Sequence, residues 1–169
     1  METTPQGRVL VLGLGNLLMG DEGVGVHAVR ELALRSLPPH VDVMDAGTPG
    51  TDLVSLLDGY DQVFIVDAVD AGQEPGAVLR FTSEQVASAP GQFPMSLHQA
   101  DVLEVLRLAS FVGRPLPPVV IYGVQPAELG WSTELSTTVQ GQLKTLLDAL
   151  EEELANTTTD PSPDPQRTD

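Results

Sequence analysis

The sequence predicts an α/β fold, a three-layer sandwich in which a twisted, mostly parallel five-stranded sheet lies between helices. Two observations support this prediction. Short, β-branched and nearly continuous apolar runs recur along the chain, which is typical of strands covered on both faces. Segments with helical periodicity separate these runs, and such alternation is the pattern of a parallel sheet flanked by helices.

Five segments are predicted as strands. Four are buried apolar runs, and the fifth follows Pro75-Gly76 so closely that we expect it to pair antiparallel with its neighbour. The four apolar runs are residues 8–13, 41–45, 62–68 and 118–124, and the fifth segment is 76–81.

Helical periodicity predicts four helices between and after the strands. After Ala155 the chain loses periodicity and becomes rich in Pro, Asp and Thr, which is typical of disorder. We therefore expect one domain over residues 1–154 and a disordered tail over 155–169. The helices are predicted, in chain order, from Val26, Val29, Ala33 and Leu37 before Pro38-Pro39, from residues 51–60, from residues 99–111 ending near Gly113, and from Val139, Leu143, Leu146, Leu147, Leu150 and Leu154.

Charge and cysteine content exclude several classes of function. The 169 residues carry a formal net charge of −16, so binding to nucleic acid or to an anionic membrane surface is not expected. There is no cysteine, which excludes disulfides, thiolate metal ligands and a cysteine nucleophile. No apolar run approaches the roughly 18 residues of a membrane span. These features fit a cytoplasmic globular protein.

A glycine-rich loop follows the first predicted strand, and residues 13–25 read GLGNLLMGDEGVG. A dinucleotide fingerprint requires a glycine where Leu18 stands, and a P-loop requires Lys-Ser/Thr where Asp21 and Glu22 follow Gly20. Two carboxylates would repel a phosphate, and a helix N-terminus offsets only part of that repulsion. The loop therefore favours a cation, and the alternative is that both acids stabilise the start of the helix through its dipole.

Polar residues at the carboxyl edge of the predicted sheet form a candidate metal site. Ligands of open α/β sheets bind beyond the carboxyl ends of the strands, where Glu22, Asp45 and Asp67 end or follow the first three strands. His98 directly precedes the helix predicted over 99–111. Two carboxylates and an imidazole suit a divalent transition metal. Asp45, within DAGTPG, has an alternative role, because an aspartate in such a loop more often shapes the turn.

Two rival folds and two further histidines fit less well. A phospho-receiver domain also has acidic residues after its first and third strands, but it needs a lysine after its fifth, and the single lysine is Lys144 in the last helix. A serine hydrolase is not indicated, because G-x-S-x-G is absent and Ser96 lies too near His98 in sequence. His27 falls inside the first helix, and His40 lies in a Pro-Pro-His turn that we expect to be exposed.

Five motifs occur in order along residues 8–152: GLGNLLMGDEGVGVHAV, DAGTPG, VFIVDAVDAGQEPG, SLHQADVLEVL and YGVQPAEL. Together they resemble the hydrogenase maturation endopeptidases, which process the large subunit of NiFe hydrogenases. The most specific parts are the glycine loop that ends in Asp-Glu-Gly and the downstream Ser-Leu-His-Gln. The resemblance leaves out only the tail.

The resemblance implies a twisted, mainly parallel sheet between helices and three metal ligands, which fall on Glu22, Asp67 and His98. It implies an endopeptidase that removes a C-terminal extension from the large-subunit precursor once nickel is inserted, with the nickel on the precursor as the recognised feature. The resemblance also indicates that Asp45 is functionally important, although Ala46 replaces a glycine in that turn.

A divalent ion held by these ligands would polarise the scissile carbonyl, activate a water or anchor the substrate. Asp45 is the spare carboxylate at this edge and is the hypothesis for the general base. Because only three protein ligands are implied and none is a thiolate, we expect nickel to arrive with the precursor, although zinc or cadmium could occupy the site in vitro. The alternative function is a non-catalytic, nickel-sensing chaperone module that binds the precursor.

Overall fold

The computed structural model describes residues 7–88 and 97–157, and for residues 86–87, 97–101 and 103 it describes the backbone alone. Its five-stranded sheet has the order β2-β1-β3-β5-β4. All neighbouring strands are parallel except β4 and β5, so the predicted mostly parallel sheet with one antiparallel strand is confirmed. The strands are β1 Val9–Leu14, β2 Val41–Gly47, β3 Gln62–Ala68, β4 Val78–Thr82 and β5 Val119–Val124.

Helices cover both faces of this sheet, as a three-layer sandwich requires. Helices α1 and α5 pack on one face, and α2 and α4 pack on the other. The helices are α1 Val24–Leu32, α2 Leu53–Leu56, α3 Ser83–Ser88, α4 Leu97–Phe111 and α5 Thr137–Asn156. Short 3-10 turns at Asp21–Gly23 and Gly50–Asp52 lead into α1 and α2.

The two faces of the sheet hold separate apolar cores, because successive side chains of a strand point to opposite faces. In β1, Val9 and Val11 pack with α1 and α5, whereas Leu10 and Leu12 pack with α2 and α4. The strands β3 and β5 alternate in the same way. The position of a residue along its strand therefore assigns it to one face.

The start of α1 lies in direct contact with the sheet. A Cβ atom on Gly25 would lie 2.1 Å from the carbonyl oxygen of Val66 and 2.3 Å from that of Leu14, so only glycine permits this approach. The turn Asp21–Gly23, just before α1, consequently packs against β3. Gly25 therefore allows the helix to contact the sheet. This role of the glycine-rich segment does not involve a phosphate.

Helix α1 and helix α2 are shorter than predicted, and one helix was not predicted. Helix α1 ends at Leu32, and Leu37, which was predicted as part of it, packs against the core from the connection to β2. Helix α2 is a single turn within the predicted 51–60. Helix α3 has the sequence SEQVAS, which has no apolar periodicity to indicate it.

Helix α4 begins at Leu97, two residues before its predicted start, so His98 lies in its first turn rather than ahead of it. Helix α5 buries the six predicted apolar residues and ends at Asn156. The first two residues of the segment predicted as a tail are therefore helical, and residues 158–169 lie outside the described residues. In the described ranges, no helix combines the length and the apolar character that crossing a lipid bilayer demands.

Candidate functional site

The loop between β1 and α1 carries the acidic pair to the carboxyl edge of the sheet. It bends at Gly20, whose φ of 61° lies in the left-handed region that glycine adopts without strain. The backbone N–H of Glu22 donates to the Met19 carbonyl at 3.3 Å, and that of Gly23 donates to the Gly20 carbonyl at 3.0 Å. These bonds close a tight turn in which the two neighbouring acids have different surroundings.

Asp21 is fully buried and holds another loop in place. Its Oδ2 accepts hydrogen bonds from the backbone N–H groups of Ala127 and Glu128, both at 2.8 Å. Ser136 donates its backbone N–H to Oδ1 at 2.7 Å and its hydroxyl to Oδ2 at 2.8 Å. Burial alone would raise the pKa of Asp21, but these four hydrogen bonds stabilise the carboxylate and lower its pKa. Asp21 therefore joins the loop before α1 to the segment between β5 and α5.

Glu22 and Asp67 approach each other at the end of β3. Asp67 is 8 % exposed and accepts a hydrogen bond at 2.8 Å from the backbone N–H of Ala68. Burial raises the pKa of Asp67 to about 7, the Ala68 N–H opposes the rise, and the nearby charge of Glu22 adds to it. A buried carboxylate whose pKa is raised by a second negative charge nearby is a favourable place for a cation.

The third predicted ligand is His98. Helix α4 places its backbone in the first turn, and its side chain lies outside the described residues. Helix α4 packs on the α2 face of the sheet, which is also the face that Asp67 shares with Val63 and Ile65 by strand alternation. Among the side chains that the structure describes, no three His, Cys, Asp or Glu residues are grouped closely enough to hold a metal ion.

Asp45 does not join this carboxylate pair. Along β2 it falls in step with Val41 and Val43, which pack toward α1 and α5, so alternation places it on the face opposite Asp67. Arg30 of α1 contacts its Oδ2 through Nε at 2.9 Å and through Nη2 at 2.7 Å. The hypothesis that Asp45 is the general base stays a prediction, and in the structure its carboxylate contacts Arg30 on α1.

The two other histidines have no described ligand partners. The Nε2 atom of His27, in α1, is buried and has no hydrogen-bond partner among the described residues. Both ring nitrogens of His40 are also buried without a hydrogen-bond partner among the described residues. The His40 residue is half-buried, whereas the sequence predicted that it would be exposed. The short Pro-Pro-His connection folds against the protein, because the Val9 N–H donates to the His40 carbonyl at 3.0 Å.

Gln125 is a positioning residue that the sequence reasoning missed. It is 6 % exposed, and its Oε1 accepts from the backbone N–H groups of Ala71 at 2.8 Å and Gln73 at 3.1 Å. Its Nε2 donates to Asp70 at 3.1 Å. These bonds fix the segment that follows Asp67. The position of this polar residue directly after the buried strand β5 is the sequence feature that could have indicated its role.

A family model described as hydrogenase maturation protease matches residues 26–153. The chain belongs to the hydrogenase maturation protease family. The matched segment includes Asp67 and His98, and it begins four residues after Glu22. The predicted family is therefore confirmed, together with the coarser prediction of a hydrogenase maturation protease.

Individual members of the hydrogenase maturation protease family support this assignment. The hydrogenase expression/formation protein HupD of Bradyrhizobium diazoefficiens is 39 % identical over 151 residues, which is 88 % of this chain and 79 % of that protein. The hydrogenase 2 maturation protease of Escherichia coli is 33 % identical over 145 residues, covering 83 % and 87 % of the two chains. The solved structure of the E. coli hydrogenase maturating endopeptidase HybD superposes with a TM-score of 0.77 at 31 % identity and covers 88 % of this chain and 93 % of its own.

Proposed function

We propose that this member of the family is the endopeptidase that removes the C-terminal extension of a NiFe-hydrogenase large-subunit precursor after nickel insertion. Glu22, Asp67 and His98 recognise the nickel that the precursor carries. The observation that supports this proposal is the approach of Glu22 to Asp67 at the carboxyl edge of the sheet, where α/β proteins bind their ligands.

The donor set suits nickel that is delivered by the substrate. Carboxylate oxygens and an imidazole nitrogen bind divalent first-row metals, whereas sites that retain metal firmly use four protein ligands or thiolates. With Glu22, Asp67 and His98 as its ligands, the protein leaves coordination positions for groups of the precursor. A precursor without nickel then offers nothing for these side chains to bind, and cleavage depends on nickel insertion.

The protein's own residues supply positioning. Nickel, when bound, acts as a Lewis acid toward a nearby carbonyl or water. Glu22 and Asp67 orient the precursor by holding its metal, since their backbones are fixed by the turn before α1 and by the pairing of β3 with β5. We assign Asp45 a positioning role, in which its ion pair with Arg30 ties the end of β2 to α1.

The second candidate function is a nickel-sensing chaperone module that binds the precursor without cutting it. It is favoured by the ion pair of Asp45 with Arg30, which leaves the described part of the site without a free general base beside Glu22 and Asp67. Incubation of the purified chain with nickel-loaded precursor, followed by intact-mass measurement, separates the two functions. Loss of a C-terminal peptide supports the endopeptidase, and a stable complex with uncut precursor supports the module.

A further inference from the structure

Three exposed apolar side chains lie on the two loops beside the candidate site. Leu18 precedes the acidic pair, and Leu129 and Trp131 belong to the segment between β5 and α5. Their exposed fractions are 52 % for Leu18, 62 % for Leu129 and 86 % for Trp131. Trp131 is the only tryptophan of the chain, and an apolar side chain that is so exposed contributes little to folding.

Backbone hydrogen bonds hold these two loops together. The N–H of Gly20 donates to the Ser132 carbonyl at 2.8 Å, and the N–H of Ser132 donates to the Leu18 carbonyl at 3.0 Å. The N–H of Asp21 donates to the Glu128 carbonyl at 3.1 Å. The side-chain bonds of Asp21 to the same segment reinforce the contact. Leu18, Leu129 and Trp131 are therefore presented by an ordered backbone, so a partner loses little entropy when it binds them.

The surroundings of this surface are acidic. Residues 126–135 contain Glu128 and Glu134, both exposed, and include no lysine or arginine. An apolar surface with a polar rim is the usual composition of a protein-binding site, and tryptophan is enriched among the residues that contribute most to binding. The acidic rim selects a partner whose apolar segment is flanked by basic side chains.

The position of the surface indicates which partner it meets. Leu18 lies four residues before Glu22 in the segment between β1 and α1, so a protein that brings a metal ion to Glu22 and Asp67 comes close to Leu18. A second copy of this chain is disfavoured as the partner, because each copy carries a formal charge of −16 and would oppose its own acidic rim to the other's.

We propose that Leu18, Leu129 and Trp131 form a docking surface for the precursor protein whose metal reaches Glu22 and Asp67. The surface receives an apolar segment of that precursor, flanked by lysine or arginine. This inference rests on the proposed function and adds to it the contact by which the protein substrate is held outside the metal site.

The single tryptophan allows a direct test. The full chain is labelled with 5-fluorotryptophan, and the ¹⁹F resonance of Trp131 is followed while unlabelled nickel-loaded precursor is added. We expect the resonance to shift or broaden. We also expect Trp131→Ala to raise KM for the precursor by roughly 10-fold or more, with kcat and melting temperature unchanged.

The matched control is Phe111→Ala, which removes an aromatic side chain that is 89 % exposed at the far end of α4. This variant should process the precursor with an unchanged KM. Glu134→Lys should weaken binding, whereas Glu31→Lys, an exposed glutamate on α1, should not.

Failure of the docking surface and failure of the proposed function give different results. If the wild-type chain cuts the precursor while the Trp131 resonance stays fixed and Trp131→Ala keeps its KM, the docking surface is wrong and the proposed function stands. If the resonance responds but the precursor stays uncut, the docking surface is supported and the endopeptidase is contradicted. If neither binding nor cleavage occurs, both are wrong.

Discussion

Ser136 donates two hydrogen bonds to the carboxylate of Asp21, from its backbone nitrogen to Oδ1 at 2.7 Å and from its hydroxyl to Oδ2 at 2.8 Å. The same hydroxyl accepts the N–H of Val139 at 3.2 Å and caps α5. The first turn of α5 is thereby connected to the residue that immediately precedes Glu22. This buried carboxylate thus adds to the backbone hydrogen bonds that hold the candidate metal site next to the proposed docking surface.

The first prediction concerns this carboxylate. Asp21→Asn should lower the free energy of unfolding by about 2–4 kcal/mol, because the amide has one acceptor oxygen and directs N–H groups at buried donors. Urea denaturation at neutral pH measures the loss. Glu134→Gln is the control, since that carboxylate is exposed and its neutralisation should change stability by less than about 0.5 kcal/mol. Equal stability of the two variants would contradict the role assigned to Asp21.

The role of Asp21 could not be predicted from the sequence. Its partners are Ala127, Glu128 and Ser136, which lie 106, 107 and 115 residues away along the chain. Local patterns therefore suggested two readings of the acidic pair, a cation site or a helix-dipole contact. The structure separates the pair, because Asp21 bonds to a distant loop while Glu22 approaches Asp67.

The second prediction concerns the opposite effects of Asp67 on activity and stability. Asp67→Asn should lower processing of nickel-loaded precursor by about 100-fold or more, because the amide is a poor metal ligand. The variant should nevertheless be more stable than the wild type at about pH 8, since the buried carboxylate is then charged beside Glu22.

The pH dependence of this gain has a definite sign. The pKa of Asp67 is about 7 in the folded protein against an ordinary value of 3.8. Its contribution to stability is present below the lower value and is lost as pH rises through the upper one. Melting temperatures should therefore diverge between about pH 4 and pH 8, with the variant higher at the alkaline end. Asp52→Asn, at an exposed position, is the control and should change neither property.

The third prediction concerns His98, which begins α4. His98→Ala should abolish processing without lowering the melting temperature, because the change removes the imidazole and places a strong helix former in the first turn of α4. His40→Ala is the matched control, because His40 lies at the opposite edge, just before β2, and its replacement should leave processing intact. A His98→Ala variant that trims the precursor at the normal rate would remove His98 from the mechanism.

The fourth prediction concerns an ion pair away from the candidate site. Arg80 donates from Nε to Glu153 at 2.9 Å, and the Tyr122 hydroxyl donates to the same carboxylate. The Arg80 hydrogen bond lowers the pKa of Glu153 against the opposing effect of burial, with a smaller contribution from Tyr122. Burial and Glu153 together raise the pKa of Tyr122 to about 12.

Because the folded-state pKa of Glu153 is depressed, its contribution to stability is present above its ordinary value of 4.5 and is lost as pH falls through the folded-state value. Glu153→Gln should therefore reduce the free energy of unfolding by about 1 kcal/mol at neutral pH. The difference should shrink as the medium is acidified below the ordinary pKa. Glu152→Gln, at an exposed neighbour, should show no such pH-dependent loss in chemical denaturation.

The strands were predictable because residues buried on both faces of a parallel sheet form continuous apolar runs. The antiparallel direction of Val78–Thr82 was predicted, but its partner is β5, which follows it in the chain, rather than the preceding strand β3. The end of α1 was less predictable, because Leu37 continues the apolar stripe from outside the helix. Helical periodicity indicates which residues are buried, and a buried residue can belong either to a helix or to the connection that follows it.

The approach of Glu22 to Asp67 could be predicted, since the ends of adjacent parallel strands meet at one edge. The face of the sheet on which Asp45 lies could also be predicted, because side chains alternate along a strand and Asp45 follows Val41 and Val43. The position of Asp45 at the end of β2 does not by itself indicate that face. Its partner Arg30 lies on a different element, and only the packing of α1 against β2 shows the contact.

The most direct test of the proposed nickel-dependent recognition compares nickel-loaded with nickel-free precursor. The purified chain is dialysed against a mild chelator, its metal content is measured by elemental analysis, and cleavage of both precursors is followed by intact mass. We predict far less than one equivalent of retained metal and loss of the C-terminal peptide from the nickel-loaded precursor alone. A full equivalent of retained metal together with cleavage of the nickel-free precursor would contradict recognition of substrate-borne nickel by Glu22, Asp67 and His98.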